Sequence, residues 1–551
     1  MTEFRRFNLD IIKIQLLVIV LCAIVVNANT LSNGFVYDDM TQIVNNRWIT
    51  NIKYIPEIFG NDATHAEMKG ISNYYRPMMN VIYLVNYYVF AGLKPWGFHL
   101  VNILFHVAVT ILVFLIASLL MRDVKLTRST SFLSVPFVSA LIFAVHPIHA
   151  EVVAWVACVP ELSFTFFCLL SLYFHMKSSQ NFDQGHVWSL VFFSFAMLCK
   201  ETTVALLPLL ALYNCIYRTE KFDIRRSVMR YLPFVVIVGV YSILRFNALS
   251  GMAPLNRVHD LTTYEEIINV LPLFSQYLQK LLLPINLNAF YVLHPIHSIA
   301  DHVWIFSLVI VIAFVLFGYV LFKRCKSSFF GLLMMTIPLL PVLYIRKLGE
   351  NTFAERYLYF SSIGFALIVG SLFTIKVINK DHWRKPFIVL FLAVMVAYSC
   401  LTINRNTIWH DELGLFADTI QKSPDSYSIH NNLGNALADK GNLDASILEY
   451  KASLRINPIY TDGYFNLGYA HFRKGDWDAA IRAFQEVLQI DPNFTDARFY
   501  IGNALARKGN LDAAIHEYQE VLRINPNHLK ANIKLREVQM ISPNGKETHI
   551  N

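Results

Sequence analysis

Residues 11–39 read IIKIQLLVIVLCAIVVNANTLSNGFVYDD, an apolar run followed closely by two adjacent carboxylates, Asp38 and Asp39. A bilayer core takes about 20 apolar residues in helical form to cross. Arg5 and Arg6 precede the run, and no clear small-x-small cleavage site follows it. Ile11–Asn27 is therefore read as a retained first span with its N-terminus inside. The acidic pair then lies on the first external loop, where a carboxylate can do acid–base work at the bilayer surface.

Working outward, the rest of the chain supports a membrane reading. Of its 551 residues, 55% are hydrophobic, and the mean hydropathy is +0.42. Candidate spans fall at 11–28, 98–121, 132–147, 160–176, 187–199, 203–217, 231–248, 303–322, 329–345, 357–377 and 386–403. Eleven spans put the basic loops 122–128, 218–230, 323–328 and 376–385 inside, with 177–186 as a weaker case. Two apolar stretches do not suit a span. Met78–Ala91 is short and rich in Tyr and Asn, and Tyr264–Leu283 carries Glu265, Glu266 and Lys280. Both are read as amphipathic helices on the outer face. The formal net charge of +8 resides in the membrane part, because residues 424–551 carry 14 Lys+Arg against 15 Asp+Glu. That distribution is a positive-inside bias and argues against nucleic acid as a partner. The seven cysteines, Cys22, Cys158, Cys168, Cys199, Cys215, Cys325 and Cys400, show neither zinc spacing nor a disulfide framework.

The C-terminal part is periodic. Gly434, Gly468 and Gly502 recur every 34 residues, as do Pro424, Pro458, Pro492 and Pro526. Ala445, Ala479 and Ala513 follow the same period, and Tyr450, Phe484 and Tyr518 fill one aromatic slot. This is the pattern of tetratricopeptide (TPR) repeats, paired helices that stack into a solenoid. Three copies are present, and 526–540 reads as a capping helix. The expected organisation is a membrane core over 1–405, a linker over 406–423, the repeats with their cap over 424–540, and a tail over 541–551.

Other polar clusters sit at ends or breaks of apolar segments. Lys200-Glu201 interrupts two short apolar stretches, and short broken spans usually meet at a polar cavity. His146 and His149 lie one turn apart, with Glu151 close by. They allow a metal site, but Pro147 argues against a regular helix and no third ligand has the right spacing. Arg356 and Lys200 are the best cations for a phosphate, the guanidinium binding it in a bidentate way and the ammonium as a point charge. The plainer alternatives are a helix cap or solvated loop for Asp38-Asp39, and ion pairs with Glu355 or Glu201 for the two cations.

Six segments in order carry a family likeness. They are Phe35-Val36-Tyr37-Asp38-Asp39, Tyr75-Arg76-Pro77, Gly97-Phe98-His99-Leu100-Val101-Asn102, His146-Pro147-Ile148-His149-Ala150-Glu151-Val152-Val153-Ala154-Trp155, Lys200-Glu201 and Ala354-Glu355-Arg356-Tyr357-Leu358-Tyr359. With the repeats behind them, the chain resembles the transmembrane and TPR repeat-containing O-mannosyltransferases and their bacterial homologues. The resemblance implies an all-α fold, a GT-C-type polytopic core followed by a TPR solenoid. It implies transfer of a sugar, mannose first, from a polyprenyl-phosphate donor to a hydroxyl acceptor, protein Ser/Thr by preference. Asp38 or Asp39 would supply the catalytic base, and Arg356 with Lys200 would bind the donor phosphate. Arg76, His146, His149, Glu151, Glu201 and Glu355 are further candidates for the substrate pocket. No cofactor is certain, though the two aspartates could hold a divalent metal. The protein acceptor or a partner protein would meet the repeats. The expected place is a bacterial inner membrane with the repeats in the periplasm, or the endoplasmic reticulum with them in the lumen. One departure stands out: Val159 occupies a position where the family tends to carry arginine, which points to a different sugar or acceptor, or to weak activity. The alternatives are a non-enzymatic TPR scaffold for envelope or secretion assembly, and a transporter of lipid-linked sugars. A scaffold would not need acidic, basic and histidine residues gathered on one face, and a transporter would want its charges deeper in the spans.

Overall fold

The computed structural model describes residues 2–63, 74–121, 133–179, 183–218, 224–251, 261–343, 351–374 and 381–541. The basic loop 122–128, parts of the loops 177–186, 218–230 and 376–385, and the tail from 542 onward lie outside the described residues. The described chain is almost wholly helical. Its two short strands, Tyr291–Val292 and Asn351–Phe353, pair antiparallel. It divides into two compact units, Met1–Asp411 and Glu412–Asn551.

The first unit is a multi-pass membrane protein. Seven helices are long and apolar enough to cross a bilayer: Asp10–Ser32, Pro95–Leu120, Val156–Lys177, Ser227–Ala248, His302–Arg324, Lys326–Leu343 and Arg384–Ile408. Val135–Val145 and Pro147–Ala154 make an eighth if counted as one span bent by 50°. The bend falls at Pro147, which has no N–H to continue the helix. Three further segments expected to span form shorter helices, Gln184–Cys199, Leu206–Tyr217 and Leu358–Ser371. Among the described residues, seven or eight helices meet the length and composition of a span, and these three fall short of that length. The two stretches set aside as amphipathic are also helical, as Pro77–Val89 and as Thr263–Ile268 with Val270–Leu282.

Burial separates inner from peripheral helices. The Val156–Lys177 segment is 78% buried within the protein, whereas Ser227–Ala248 and His302–Arg324 are each 11% buried. The peripheral helices expose apolar side chains such as Val240, Phe306 and Leu316, as a lipid-facing surface does. Inner helices approach backbone to backbone through small residues. A Cβ on Gly364 would lie 2.1 Å from the Gly331 carbonyl oxygen and 2.6 Å from the Met335 nitrogen. Such close approach is how helices gain packing where lipid removes the hydrophobic drive.

The second unit is the solenoid read from the sequence. After Glu412–Lys422 come helix pairs Tyr427–Asp439 with Leu443–Ile456, Thr461–Lys474 with Trp477–Ile490, and Thr495–Arg507 with Leu511–Ile524, then Leu529–Ile541. The periodic glycines and aromatics turn out to be partners. A Cβ on Gly434, Gly468 or Gly502 would lie 2.5, 2.8 and 2.7 Å from the rings of Tyr450, Phe484 and Tyr518. Each glycine therefore seats the aromatic of its own pair.

The inner packing makes a contrast that mutation can read. Gly364→Ala forces two packed helices apart, and overpacking of this kind costs about 1–3 kcal/mol. Gly239→Ala, with nothing within 4 Å, adds helix propensity of up to about 1 kcal/mol. Thermal unfolding in detergent should show Tm falling for the first and holding or rising for the second. Equal Tm values would contradict the close helix approach.

Candidate functional site

The acidic turn is strained and anchored. Tyr37 adopts a left-handed φ of 57°, which an aromatic residue holds only where its surroundings enforce it. Its ring packs 5.6 Å from that of Trp155, which stacks at 5.6 Å on Trp409. Asp39 is fully buried. Its Oδ2 accepts the Val36 N–H at 3.0 Å and its Oδ1 the Ala157 N–H at 2.7 Å. Asp39 therefore ties the turn to the segment that follows Trp155. Asp38 is different: it is half-buried, and its side chain makes no hydrogen bond among the described residues. Burial pushes its pKa up to about 6, against the opposing pull of the Arg356 charge. The two adjacent aspartates thus separate into one that holds the backbone and one free to exchange a proton.

Arg356 sits at the opening of the late helix Leu358–Ser371. Its Nη1 donates to Glu151 Oε1 at 2.7 Å, and its backbone N–H donates to Glu151 Oε2 at 3.0 Å. The guanidinium lies 5.5 Å from the Trp155 ring and 5.2 Å from that of Tyr357. Its side chain keeps 23% exposure, while that of Glu151 keeps 1%. The partner is Glu151, not the neighbouring Glu355 that the sequence offered. Glu355 is itself buried and accepts the Asn288 N–H and the Tyr291 hydroxyl, each at 2.6 Å. Burial pushes its pKa up to about 7, the Arg405 charge opposing and Glu151 reinforcing the shift.

The other cations also pair with a carboxylate. Lys200 Nζ donates to Glu161 Oε1 at 2.6 Å and Oε2 at 2.5 Å, both side chains nearly buried. Arg76 reaches Glu201 through Nη2 at 2.9 Å and Nε at 3.3 Å. Glu201 thus serves Arg76, and Lys200 turns to Glu161 instead. Lys200 and Arg356 line one small pocket, together with Glu161, Thr165 and Tyr357. Lys200 and Thr202, at the break between the two apolar stretches, both line this pocket. Trp155 links the Asp38 turn to Arg356, and Tyr357 links Arg356 to Lys200, whose Nζ lies 5.1 Å from its ring.

The histidines are core residues rather than exposed helix ends. His146 accepts the Ile148 N–H at Nδ1 and donates from Nε2 to the Leu281 carbonyl. His149 Nε2 meets Ser362 Oγ at 2.8 Å, and His106 meets the Tyr359 hydroxyl at 2.9 Å. Among the described residues, no three His, Cys, Asp or Glu side chains gather as metal ligands. Each Asp39 oxygen accepts one backbone N–H. Val159 is buried in an apolar cluster with Trp48, Tyr83 and Phe98 and does not line the pocket. Glu161 is the residue that sequence reasoning passed over. The available signal was an ionisable side chain inside the apolar run 160–176, which is costly unless paired or functional.

Family models match the repeats of the second unit. Models described as tetratricopeptide repeat and TPR repeat match residues 465–528 and 434–475. The chain is 25% identical over 454 residues to Protein O-mannosyl-transferase F38B6.6 of Caenorhabditis elegans, covering 81% of this chain and 63% of that protein. It is 26% identical over 484 residues to Protein O-mannosyl-transferase TMTC4 of Homo sapiens, covering 78% and 64%. The chain thus spans less than two thirds of the length of these relatives. Among solved structures, MamA is similar at a TM-score of 0.23 and 22% identity, over 23% of this chain and 75% of that one.

The division between the aspartates predicts opposite effects on stability. Asp39→Asn loses one charge-assisted acceptor and turns an amide donor toward a backbone N–H, so Tm should fall. The folded pKa of Asp38 is raised, so its ionisation opposes folding and stability declines as pH rises toward 6. Asp38→Asn should therefore hold or raise Tm at pH 7.5. A fall for Asp38→Asn matching that for Asp39→Asn would contradict the assignment.

Proposed function

Starting from kinship with the TMTC proteins, we propose that the chain is a membrane glycosyltransferase. It moves a sugar, mannose first, from a polyprenyl-phosphate donor to a protein Ser or Thr hydroxyl on the outer membrane face. The observation that carries this reading is Asp38, a half-buried carboxylate without a hydrogen-bond partner among the described residues, within reach of the Arg356 charge. A general base needs a pKa near working pH and a free lone pair, and Asp38 has both.

The reaction is a single displacement. The acceptor oxygen attacks the anomeric carbon while the bond from that carbon to the phosphate oxygen breaks. The acceptor proton passes to Asp38 and then to water. The donor phosphodiester carries one negative charge, and the departing lipid phosphate carries two. Arg356 faces that growing charge, held in place by Glu151 and flanked by Trp155 and Tyr357. Asp39 and the strained Tyr37 aim the base without exchanging a proton. The repeats suit capture of an extended protein segment, since stacked helix pairs form a concave groove.

Transfer from polyprenyl-phosphate mannose to a peptide by the purified protein tests this reading. The base works only when ionised, so kcat/KM should rise with pH through about 6 and then level. Asp38→Asn should lose about 10²–10⁴ in rate. Arg356→Met should shift the acidic limb upward, because the charge that opposes the raised pKa is gone. Wild-type transfer by Asp38→Asn at equal protein level would remove Asp38 as base.

A further inference from the structure

The pocket beside Arg356 is not uniformly cationic. Lys200 gives two of its three N–H donors to Glu161, so this pair carries no net charge. Thr165 lies one helical turn beyond Glu161 and lines the same pocket. Its hydroxyl is buried and has no partner among the described residues. A buried hydroxyl left unpaired carries an energetic cost that a ligand can relieve. The aromatic faces of Phe164 and Tyr357 flank Lys200 at 5.8 and 5.1 Å.

A phosphate does not suit this corner. It would meet the Glu161 carboxylate as closely as the Lys200 ammonium, and freeing Lys200 would break a buried ion pair. A neutral polyol does suit it, because each hydroxyl both donates and accepts. Glu161 keeps unused lone pairs for donated hydroxyls. Lys200 keeps one N–H, and Thr165 offers both roles. We propose that Glu161, Lys200 and Thr165 form the subsite for the donor's neutral sugar, and that the donor phosphate falls to Arg356 without Lys200. This inference rests on the transferase reading and refines the part first expected of Lys200.

The test compares two lipids on the full-length protein in nanodiscs: polyprenyl-phosphate mannose and sugar-free polyprenyl phosphate. Single removal of Lys200 or Glu161 would strand a buried charge. The informative variant is therefore the double substitution Glu161→Gln with Lys200→Met, beside the near-isosteric Thr165→Val. The double variant should bind the sugar-bearing lipid about 10- to 100-fold more weakly, and Thr165→Val about 5-fold more weakly. Both should bind the sugar-free lipid within about 2-fold of the parent, whereas Arg356→Met should weaken both lipids. Equal losses on the two lipids would give Lys200 back to the phosphate and overturn the inference. Unchanged binding of the sugar-bearing lipid by both variants would overturn it as well. A parent protein that binds neither lipid would instead sink the transferase reading itself, and the inference with it.

Discussion

A charge taken out of water must be met by its opposite, and the contact between Arg356 and Glu151 is where this core meets that demand. Glu151 lies in the bent segment after Pro147, and Arg356 in the turn before Leu358–Ser371. The two are 205 residues apart in sequence. The carboxylate takes both the guanidinium and the backbone N–H of the same residue, which fixes the side chain and the turn together. Such a pair adds little to net stability over an apolar replacement, yet losing one partner strands a buried charge. Its consequence is placement: a partly exposed guanidinium beside two aromatic rings in the lining of a pocket.

The same rule sorts the carboxylates around it. Glu161 is committed to Lys200, Glu201 to Arg76, Glu151 to Arg356, and Asp39 to two backbone N–H groups. Glu355 is held by the Asn288 N–H and the Tyr291 hydroxyl, which pins the loop around 288–292 beside the Arg356 turn. Asp38 alone in this group, among the described residues, has a carboxylate that accepts no hydrogen bond.

What the sequence made legible depended on range. The 34-residue period exposes the repeats because each unit packs on itself and its neighbour, as Gly434 does on Tyr450. Apolar length marks the first span and the long peripheral helices because lipid imposes a length on them. The break at Lys200-Glu201 is legible for the same reason, as an interruption. The pairings were not legible. Lys200 has Glu201 beside it but takes Glu161, and Arg356 has Glu355 beside it but takes Glu151. Adjacent residues on a turn point apart, so proximity in sequence was a poor guide to partners. Apolarity and helix length part at Gln184–Cys199 and Leu358–Ser371, which are apolar yet short. The roles of Asp38 and Asp39 required burial and bonding to separate.

In the function proposed above, Glu151 positions Arg356 as an anchor for the donor phosphate. A double-mutant cycle with Glu151→Gln and Arg356→Met, followed by Tm and by binding of polyprenyl phosphate, tests it most directly. The account predicts that Glu151→Gln alone lowers Tm, because it leaves Arg356 without its counter-charge. Adding Arg356→Met should recover much of that loss while abolishing lipid-phosphate binding. A double variant that binds the lipid as tightly as the parent, or effects on Tm that simply add, would contradict it.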